Sequence, residues 1–170
     1  MKQIGIISDT HSYLDDAVLR HFDRCDEIWH AGDFGNMEIV ERLQNFKPLK
    51  GVWGNIDGAG IRQSFPEKLR WTCEGVDVFM IHIGGYPGKY ESSVKNELLA
   101  HPPQLFISGH SHILKVMFDE KIHCLHINPG AAGREGWHKV RTVMRLKIDG
   151  ENMYDCEVIE LGKRGVALTQ

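Results

Sequence analysis

Four short polar segments carry side chains able to do chemistry: Asp9-Thr10-His11, Gly32-Asp33, Gly54-Asn55-Ile56-Asp57 and Gly109-His110-Ser111-His112. A fifth element is His82, inside the apolar run Val78-Phe79-Met80-Ile81-His82-Ile83. Together Asp9, His11, Asp33, Asn55, His82, His110 and His112 offer two carboxylates, one amide and four imidazoles. All are oxygen or nitrogen donors, and no thiolate is among them. That set suits manganese, iron, zinc, cobalt or nickel better than copper(I) or an iron–sulfur cluster. Seven donors exceed what one ion takes from protein while keeping an open position. They match two ions that share a bridging carboxylate. Two divalent ions outweigh the charge of two aspartates, so such a site stays electropositive and attracts a phosphate oxyanion. Ions about 3.5–4 Å apart can activate a bridging hydroxide and clamp the attacking and leaving oxygens.

Each piece also has a plainer reading. Asp9 and Asp33 precede helical patterns and would serve as N-caps. Asn55 and Asp57 lie beside glycines and suit a turn. His82, taken alone, reads as a hydrogen-bonded core histidine. An Asp-x-His triplet arises by chance roughly 0.6 times in such a chain, whereas Gly-His-x-His arises roughly 0.06 times. The combination carries the inference; no single piece does. His30, His101, His123, His126 and His138 belong to no such motif and read as structural or surface groups. Arg134 and Lys89 are read as surface positions, with a substrate phosphate within their reach as the sharper alternative. Trp29, Trp53 and Phe79 read as core.

The elements that must position these residues follow from hydrophobic pattern. A strand at Gln3–Ser8 ends at Asp9, a second at Glu27–His30 ends at Ala31-Gly32-Asp33, and a third at Leu49–Trp53 ends at Gly54. Helical spacing at Leu14, Val18, Leu19 and Phe22, and again at Met37, Val40 and Leu43, fills the gaps. Strand–loop–helix in repetition argues for a parallel α/β core. The loops leaving the strand C-termini of such a sheet share one edge, where ligands bind. Farther on, Leu69–Cys73 and Val76–Ile83 form a hairpin around Glu74-Gly75, and Tyr90–Leu99 is helical. Leu105–Ser108 is a short strand running into Gly109-His110. Val116–Asp119, Ile122–Ile127, Val140–Ile148 and Met153–Ile159 are mostly antiparallel strands, the last two joined by an Asp149-Gly150 turn. Gly84-Gly85-Tyr86-Pro87-Gly88 reads as a flexible loop, and not a P-loop, since no Gly-Lys-[Ser/Thr] follows. The chain reads as one domain over 1–170, with 162–170 a loose tail.

Composition removes several function classes. The 170 residues carry 20 Lys+Arg against 23 Asp+Glu, a net charge of -3. A broadly basic nucleic-acid binder is excluded, because that affinity rests on cations neutralising phosphates. Cys25, Cys73, Cys124 and Cys156 are widely spaced and read as free thiols, two or three of them buried, in a reducing compartment. The longest stretch without Asp, Glu, Lys or Arg, Leu98 to Leu114, holds three histidines and two prolines and is no membrane helix. The N-terminal apolar run is too short for a signal-peptide core. A soluble cytoplasmic protein is expected.

The ordered motif set resembles the calcineurin-like metallophosphoesterase superfamily, and within it the small single-domain phosphodiesterases of prokaryotes. The likeness runs from Gln3 to about Ile148 and includes an Asn128-Pro129-Gly130 turn. It implies a four-layer αββα sandwich of two mixed β-sheets flanked by helices. It implies that Asp9, His11 and His112 bind one divalent metal ion and that Asp33 bridges to a second, completed by Asn55, His82 and His110. Manganese is the favoured ion, with nickel, cobalt, iron or zinc as alternatives. The implied reaction is in-line attack of a bridging hydroxide on a small phosphodiester. Two departures stand out. Many members place a general-acid His directly after the third-motif Asn, where this chain has Ile56. Asp57 follows and is expected either to support the site or to serve as a substitute acid, a role worth about 10²–10⁴-fold. Related chains often read His-Gly-His where this one reads His82-Ile83-Gly84, so one imidazole is missing. Two other functions compete: a protein-interaction scaffold resembling the retromer subunit of this architecture, and a nuclease of the superfamily. Nucleic acid is the less favoured substrate, no membrane partner is expected, and exposed apolar strand edges in the C-terminal half would permit a homodimer.

Overall fold

The computed structural model describes residues 1–165. The chain begins β1 (Lys2–Ile7), α1 (Asp16–His21), β2 (Glu27–His30), α2 (Met37–Phe46), β3 (Leu49–Gly51) and α3 (Ala59–Ser64). It continues β4 (Lys68–Cys73), β5 (Val76–Ile81), β6 (Gly85–Tyr86), β7 (Lys89–Tyr90) and α4 (Ser92–Ala100). It closes with β8 (Leu105–Ile107), β9 (Lys115–Asp119), β10 (Cys124–Asn128), β11 (Val140–Asp149) and β12 (Asn152–Lys163).

Two five-stranded mixed sheets result, ordered β12-β11-β1-β2-β3 and β4-β5-β8-β10-β9. In the first, β1, β2 and β3 run parallel and β11 and β12 are antiparallel additions. In the second, β5, β8 and β10 run parallel, with β4 and β9 antiparallel at the edges. Side chains alternate across a strand, so each sheet has two faces to cover. Ile4, Ile6 and Trp29 of the first sheet meet Val78, Met80 and Ile107 of the second in a core between the sheets. On the outer face of the first sheet, Ile7 and Ile28 pack with Val18, Phe22, Val40 and Leu43. On the outer face of the second, Phe79 and Phe106 pack with Val94 and Leu98. These three apolar clusters separate four layers, the αββα sandwich.

The structure departs from the sequence expectations at several points. The helices are capped by Asp15 and Asn36, whose side chains accept from the Ala17 and Ile39 amides. Asp9 and Asp33 are therefore not N-caps; both stand in loops before the helices start. A short helix, α3, occupies Ala59–Ser64, where two nearby glycines hide it from pattern reading. The loop expected over residues 84–88 is in part a tiny hairpin, β6 and β7. Strand β5 stops at Ile81, which leaves His82 beyond its end. The loose tail is corrected in part: Gly162 and Lys163 pair with Arg141 and Val140, while 166–170 lie outside the described residues. Cys25, Cys73 and Cys124 are buried and Cys156 is exposed, all four as free thiols. Trp29 and Phe79 are core residues, whereas Trp53 is only partly buried, under the Arg62 guanidinium 3.9 Å from its ring.

Candidate metal centre

Strands β1, β2 and β3 deliver Asp9, His11, Asp33 and Asn55 just past their C-termini. Strands β5 and β8 deliver His82, His110 and His112 in the same way. The first sheet thus supplies the carboxylates and the second most of the imidazoles, and all seven side chains meet at one edge. The loops are locked together by backbone bonds. Asp9, His11 and Ser12 amides donate to the Gly32, Asp33 and Phe34 carbonyls at 3.0, 3.1 and 2.9 Å. The Gly109 amide donates to the His82 carbonyl at 2.9 Å, tying the two loops of the second sheet. Asp57, 3% exposed, accepts from the amides of Asp33, Phe34, Gly35 and Gly54 at 2.8–3.2 Å. Both its oxygens are engaged as acceptors that hold the second and third motif loops in register.

Five of the seven candidate ligands sit in the left-handed backbone region. The φ angles are 53° at Asp9, 46° at His11, 60° at Asp33, 70° at His110 and 62° at His112. Non-glycine residues reach this region at a cost, and such residues concentrate where function over-determines the backbone. Here the left-handed turns aim consecutive polar side chains at one point. Gly54 serves the same end by close approach: a Cβ there would fall on the Asp33 carboxylate and amide.

The donor atoms fall into two groups. Those of Asp9, His11 and His112 lie within 4.8 Å of one another, as do those of Asp33, His82 and His110. Asn55 Oδ1 lies 3.0 Å from His110 Nδ1, beside the second group. His11 Nε2 is 3.6 Å from Asp9 and 3.3 Å from Asp33, so the groups adjoin. Three buried atoms at their centre, Asp9 Oδ1, His11 Nε2 and His82 Nε2, have no hydrogen-bond partner among the described residues. Buried polar atoms are nearly always paired. Three orphans facing one another, one acceptor and two imidazole nitrogens, fit a cation as the common partner.

Two imidazoles have their tautomers fixed from behind. His82 Nδ1 lies 2.7 Å from the Ala31 carbonyl, which can only accept, so Nδ1 carries the hydrogen and Nε2 keeps its lone pair. His138 Nε2 lies 2.8 Å from the Gly133 carbonyl and donates to it. Its Nδ1 then accepts from His112 Nδ1 at 3.1 Å, which leaves the His112 Nε2 lone pair facing Asp9, 3.2 Å away. Such backing is how proteins orient metal-binding histidines. Burial favours the neutral His138 that this chain of bonds requires. His30 stands behind the loops. Its Nδ1 accepts from the Gly32 amide and its Nε2 donates to Thr10 Oγ1 at 3.1 Å. Burial pushes its pKa down to about 3.

The electrostatics of the metal-free cluster are those of carboxylates crowded by imidazoles. Burial pushes both aspartates up, yet the imidazoles of His11, His112 and His82 beside it hold Asp9 far below the carboxylate range. His11 and His82 do the same for Asp33. The Asp33 and Asp9 carboxylates push His11 up to about 10. Burial opposes the charged form of His82, and the aspartates outweigh it, so its pKa rises. The cluster holds cations in place of an ion, which is the behaviour of a cation site.

Residues without a motif also serve the centre. His138 does so through His112, although it lies 26 positions away in sequence. Arg62 of α3 bonds the Asp57 and Asn55 carbonyls and stacks on Trp53, pinning the third motif loop. The Ile56 amide donates to Asp33 Oδ1 at 3.1 Å, while its side chain is 45% exposed. Arg134 is exposed and stacks on Tyr13, 3.8 Å from its ring centroid. Lys89 is exposed on β7 and lines a cavity beside His110.

Fold and donor set together define a metallophosphoesterase. The profile of the calcineurin-like phosphoesterase superfamily domain matches residues 1–151, and the chain belongs to that superfamily. It is 32% identical over 165 residues to a probable metallophosphoesterase of Methanothermobacter thermautotrophicus, covering 94% of this chain and 92% of that one. Among solved structures it is similar to a novel archaeal phosphodiesterase, with TM-score 0.75 and 20% identity, covering 94% of this chain and 99% of the other. It is also similar to Vps29 of Entamoeba histolytica complexed with zinc, with TM-score 0.73 and 17% identity, covering 93% and 98%. The structural likenesses show the fold. Membership of the superfamily supports a phosphoester hydrolase that uses divalent metal. Among the described residues no helix is long and apolar enough to cross a membrane.

Proposed function

We propose that this protein is a two-metal phosphodiesterase acting on small diesters. One observation carries the reading: seven competent ligands meet at the shared edge of two sheets, and three of their buried ligand atoms have no hydrogen-bond partner among the described residues. Asp9, His11 and His112 would hold one ion and Asn55, His82 and His110 the other, with Asp33 between them. Two bound divalent ions would supply Lewis acidity and the nucleophile for in-line displacement. The chain's own residues fix the geometry. Ala31 and the His138 relay hold the His82 and His112 lone pairs inward, and the Ile56 amide orients Asp33. Asp57 spends both oxygens on backbone amides and acts as loop support, not as the acid. Ile56 has no proton to give, so leaving groups that need no protonation are favoured. Cavities of about 200 and 180 Å³ lie to either side of the His82–His110 pair, room for the two arms of a diester. Manganese is the favoured ion. Four free cysteines, three of them buried, support a reducing, cytoplasmic setting.

The test is hydrolysis of bis-p-nitrophenyl phosphate by metal-stripped protein before and after addition of Mn, Ni, Co or Zn, with Asp33→Ala as control. Metal-restored cleavage that the variant lacks is expected, with p-nitrophenyl esters outpacing alkyl esters. The likeness to Vps29 favours a second reading, a protein-interaction scaffold. An intact donor set supports the enzyme; a folded, metal-loaded protein without turnover would move the assignment to the scaffold. The edge strand β9 exposes Val116, Met117 and Phe118, which supports a homodimer in either case.

A further inference from the structure

The larger cavity opens beside His110 and runs across the outer face of the second sheet to the β6–β7 hairpin. Among the polar groups in its wall, three have a defined hydrogen-bonding sense and capacity to spare. His126 of β10 is 1% exposed. Its Nδ1 lies 3.1 Å from the Phe106 carbonyl and must donate to it. Its Nε2 is then a lone-pair acceptor, and it has no partner among the described residues. Lys115 pairs with Asn128 on the adjacent edge strand, two positions from the Met117–His126 pair, and so lies on the same face as His126. Its ammonium is held 3.9 Å from the Tyr86 ring centroid and can only donate. Ser111 Oγ already accepts from Asn128 Nδ2 and the Ile113 amide, both at 3.1 Å, so its own hydrogen is free to donate. The rest of the wall combines Ile83, Tyr86 and glycine backbone with Lys89, Glu91, His110 and Asn128.

We propose that this cavity is the subsite for one arm of the diester, and that the arm is a nucleobase read by His126. This rests on the phosphodiesterase reading for the position of the phosphate. A buried acceptor without a partner calls for a ligand donor, and two donors nearby call for ligand acceptors. A flat, apolar-faced heterocycle with one N–H between carbonyl groups answers all three, as the edge of thymine or uracil does. A polyol would satisfy the donors but would leave Ile83 and Tyr86 uncovered. A second phosphate would satisfy Lys115 but present only acceptors to His126.

Two experiments test this, one of them independent of metal and turnover. In the first, imidazole ¹⁵N spectra of the metal-free protein are titrated with thymidine. The His126 Nε2 resonance is expected to shift and saturate, with no such shift for N3-methylthymidine, whose only ring donor is blocked. Equal responses to both, or none at His126, overturn the proposal. In the second, kcat/KM of the manganese-loaded protein is compared for thymidine 5′-(p-nitrophenyl phosphate) and bis-p-nitrophenyl phosphate. The nucleoside ester is expected to lead by tenfold or more, mainly through KM. His126→Phe and, separately, the edge-strand variant Lys115→Met are expected to shrink that ratio several-fold. Both esters cleaved at equal kcat/KM overturn the subsite while the phosphodiesterase stands. If neither is cleaved, the phosphodiesterase reading falls, and the thymidine titration still decides whether the cavity takes a nucleobase.

Discussion

A histidine binds metal only if the right nitrogen faces the ion, and at this centre that choice is made by residues that touch no ion themselves. His138 receives the His112 hydrogen because its own is already given to the Gly133 carbonyl. His138→Phe keeps the ring's bulk and removes the acceptor. Metal affinity should fall about 10–100-fold, with most of the activity returning at saturating metal. His138→Gln, which can still accept, should restore part of the loss. A metal titration followed by activity separates these outcomes; unchanged affinity in the Phe variant would remove His138 from the centre. His126 makes a different kind of prediction. Burial pushes its pKa down to about 4, against about 6.5 in the unfolded chain. Between these values the unfolded state binds one proton more, so this residue makes stability rise with pH from about 4 to 6.5, by about 3 kcal/mol at most. Below that window the contribution is flat. Denaturant unfolding of the metal-free protein at several pH values should show a slope that His126→Phe reduces by about 1.4 kcal/mol per pH unit. An equal slope in both proteins would show that His126 titrates normally when folded.

At the scale of elements, the sheet edge works because short strands stop early and hand their polar residues to tightly packed loops. Gly54 is where the third motif loop passes closest to Asp33, and a Cβ there would occupy the space of its carboxylate. Gly54→Ala should cost about 1–3 kcal/mol of stability and abolish metal-dependent turnover, since Asp33 must move. Gly60, inside α3, is the contrast. Its Cβ would make only an ordinary contact with Met37, 3.6 Å away. Gly60→Ala should therefore stabilise the protein by about 0.5–1 kcal/mol and leave turnover intact, as thermal unfolding and a rate assay would show. Sequence pattern made the motif-bearing strands visible, because short apolar runs, the first of them rich in Ile, give way abruptly to polar residues at Asp9, Asp33 and Asn55. It hid α3, whose six residues bury only Ile61 and follow an uncapped Gly58. It hid the His138 relay too, since nothing local links His138 to a loop 26 residues earlier. The left-handed turns at Asp9, His11, Asp33, His110 and His112 are uncommon backbone for any non-glycine residue, although Asp and His adopt them more readily than most. Only tertiary packing imposes them, so they were not readable before the loops were seen together.

At the scale of the molecule, the centre is the place where two otherwise separate sheets exchange ligands. Asp9, Asp33 and Asn55 come from the first sheet and His82, His110 and His112 from the second. An ion bound there would tie both halves of the sandwich, and an unfolded chain would offer it no preformed site. Binding to the folded state alone stabilises by about 2.7 kcal/mol at a hundred times the dissociation constant. For a chain of this size, 1 kcal/mol moves Tm by about 2–4 °C. Chelation should therefore lower Tm by several degrees, and manganese should restore it. The response should vanish in Asp33→Ala if, as proposed, that carboxylate stands between the two ions. Its metal-free form should unfold below the metal-free wild type, because the imidazoles and the Ile56 amide around Asp33 outweigh the burial of its charge. Removing Asp33 takes from His11 and His82 one of the carboxylates they face and leaves Asp9, with Glu135 beside His11. A Tm that ignores metal in the wild-type protein would mean that the seven side chains converge without closing on an ion. The same fold would then be better understood as a scaffold whose edge is held by its own imidazole–carboxylate contacts.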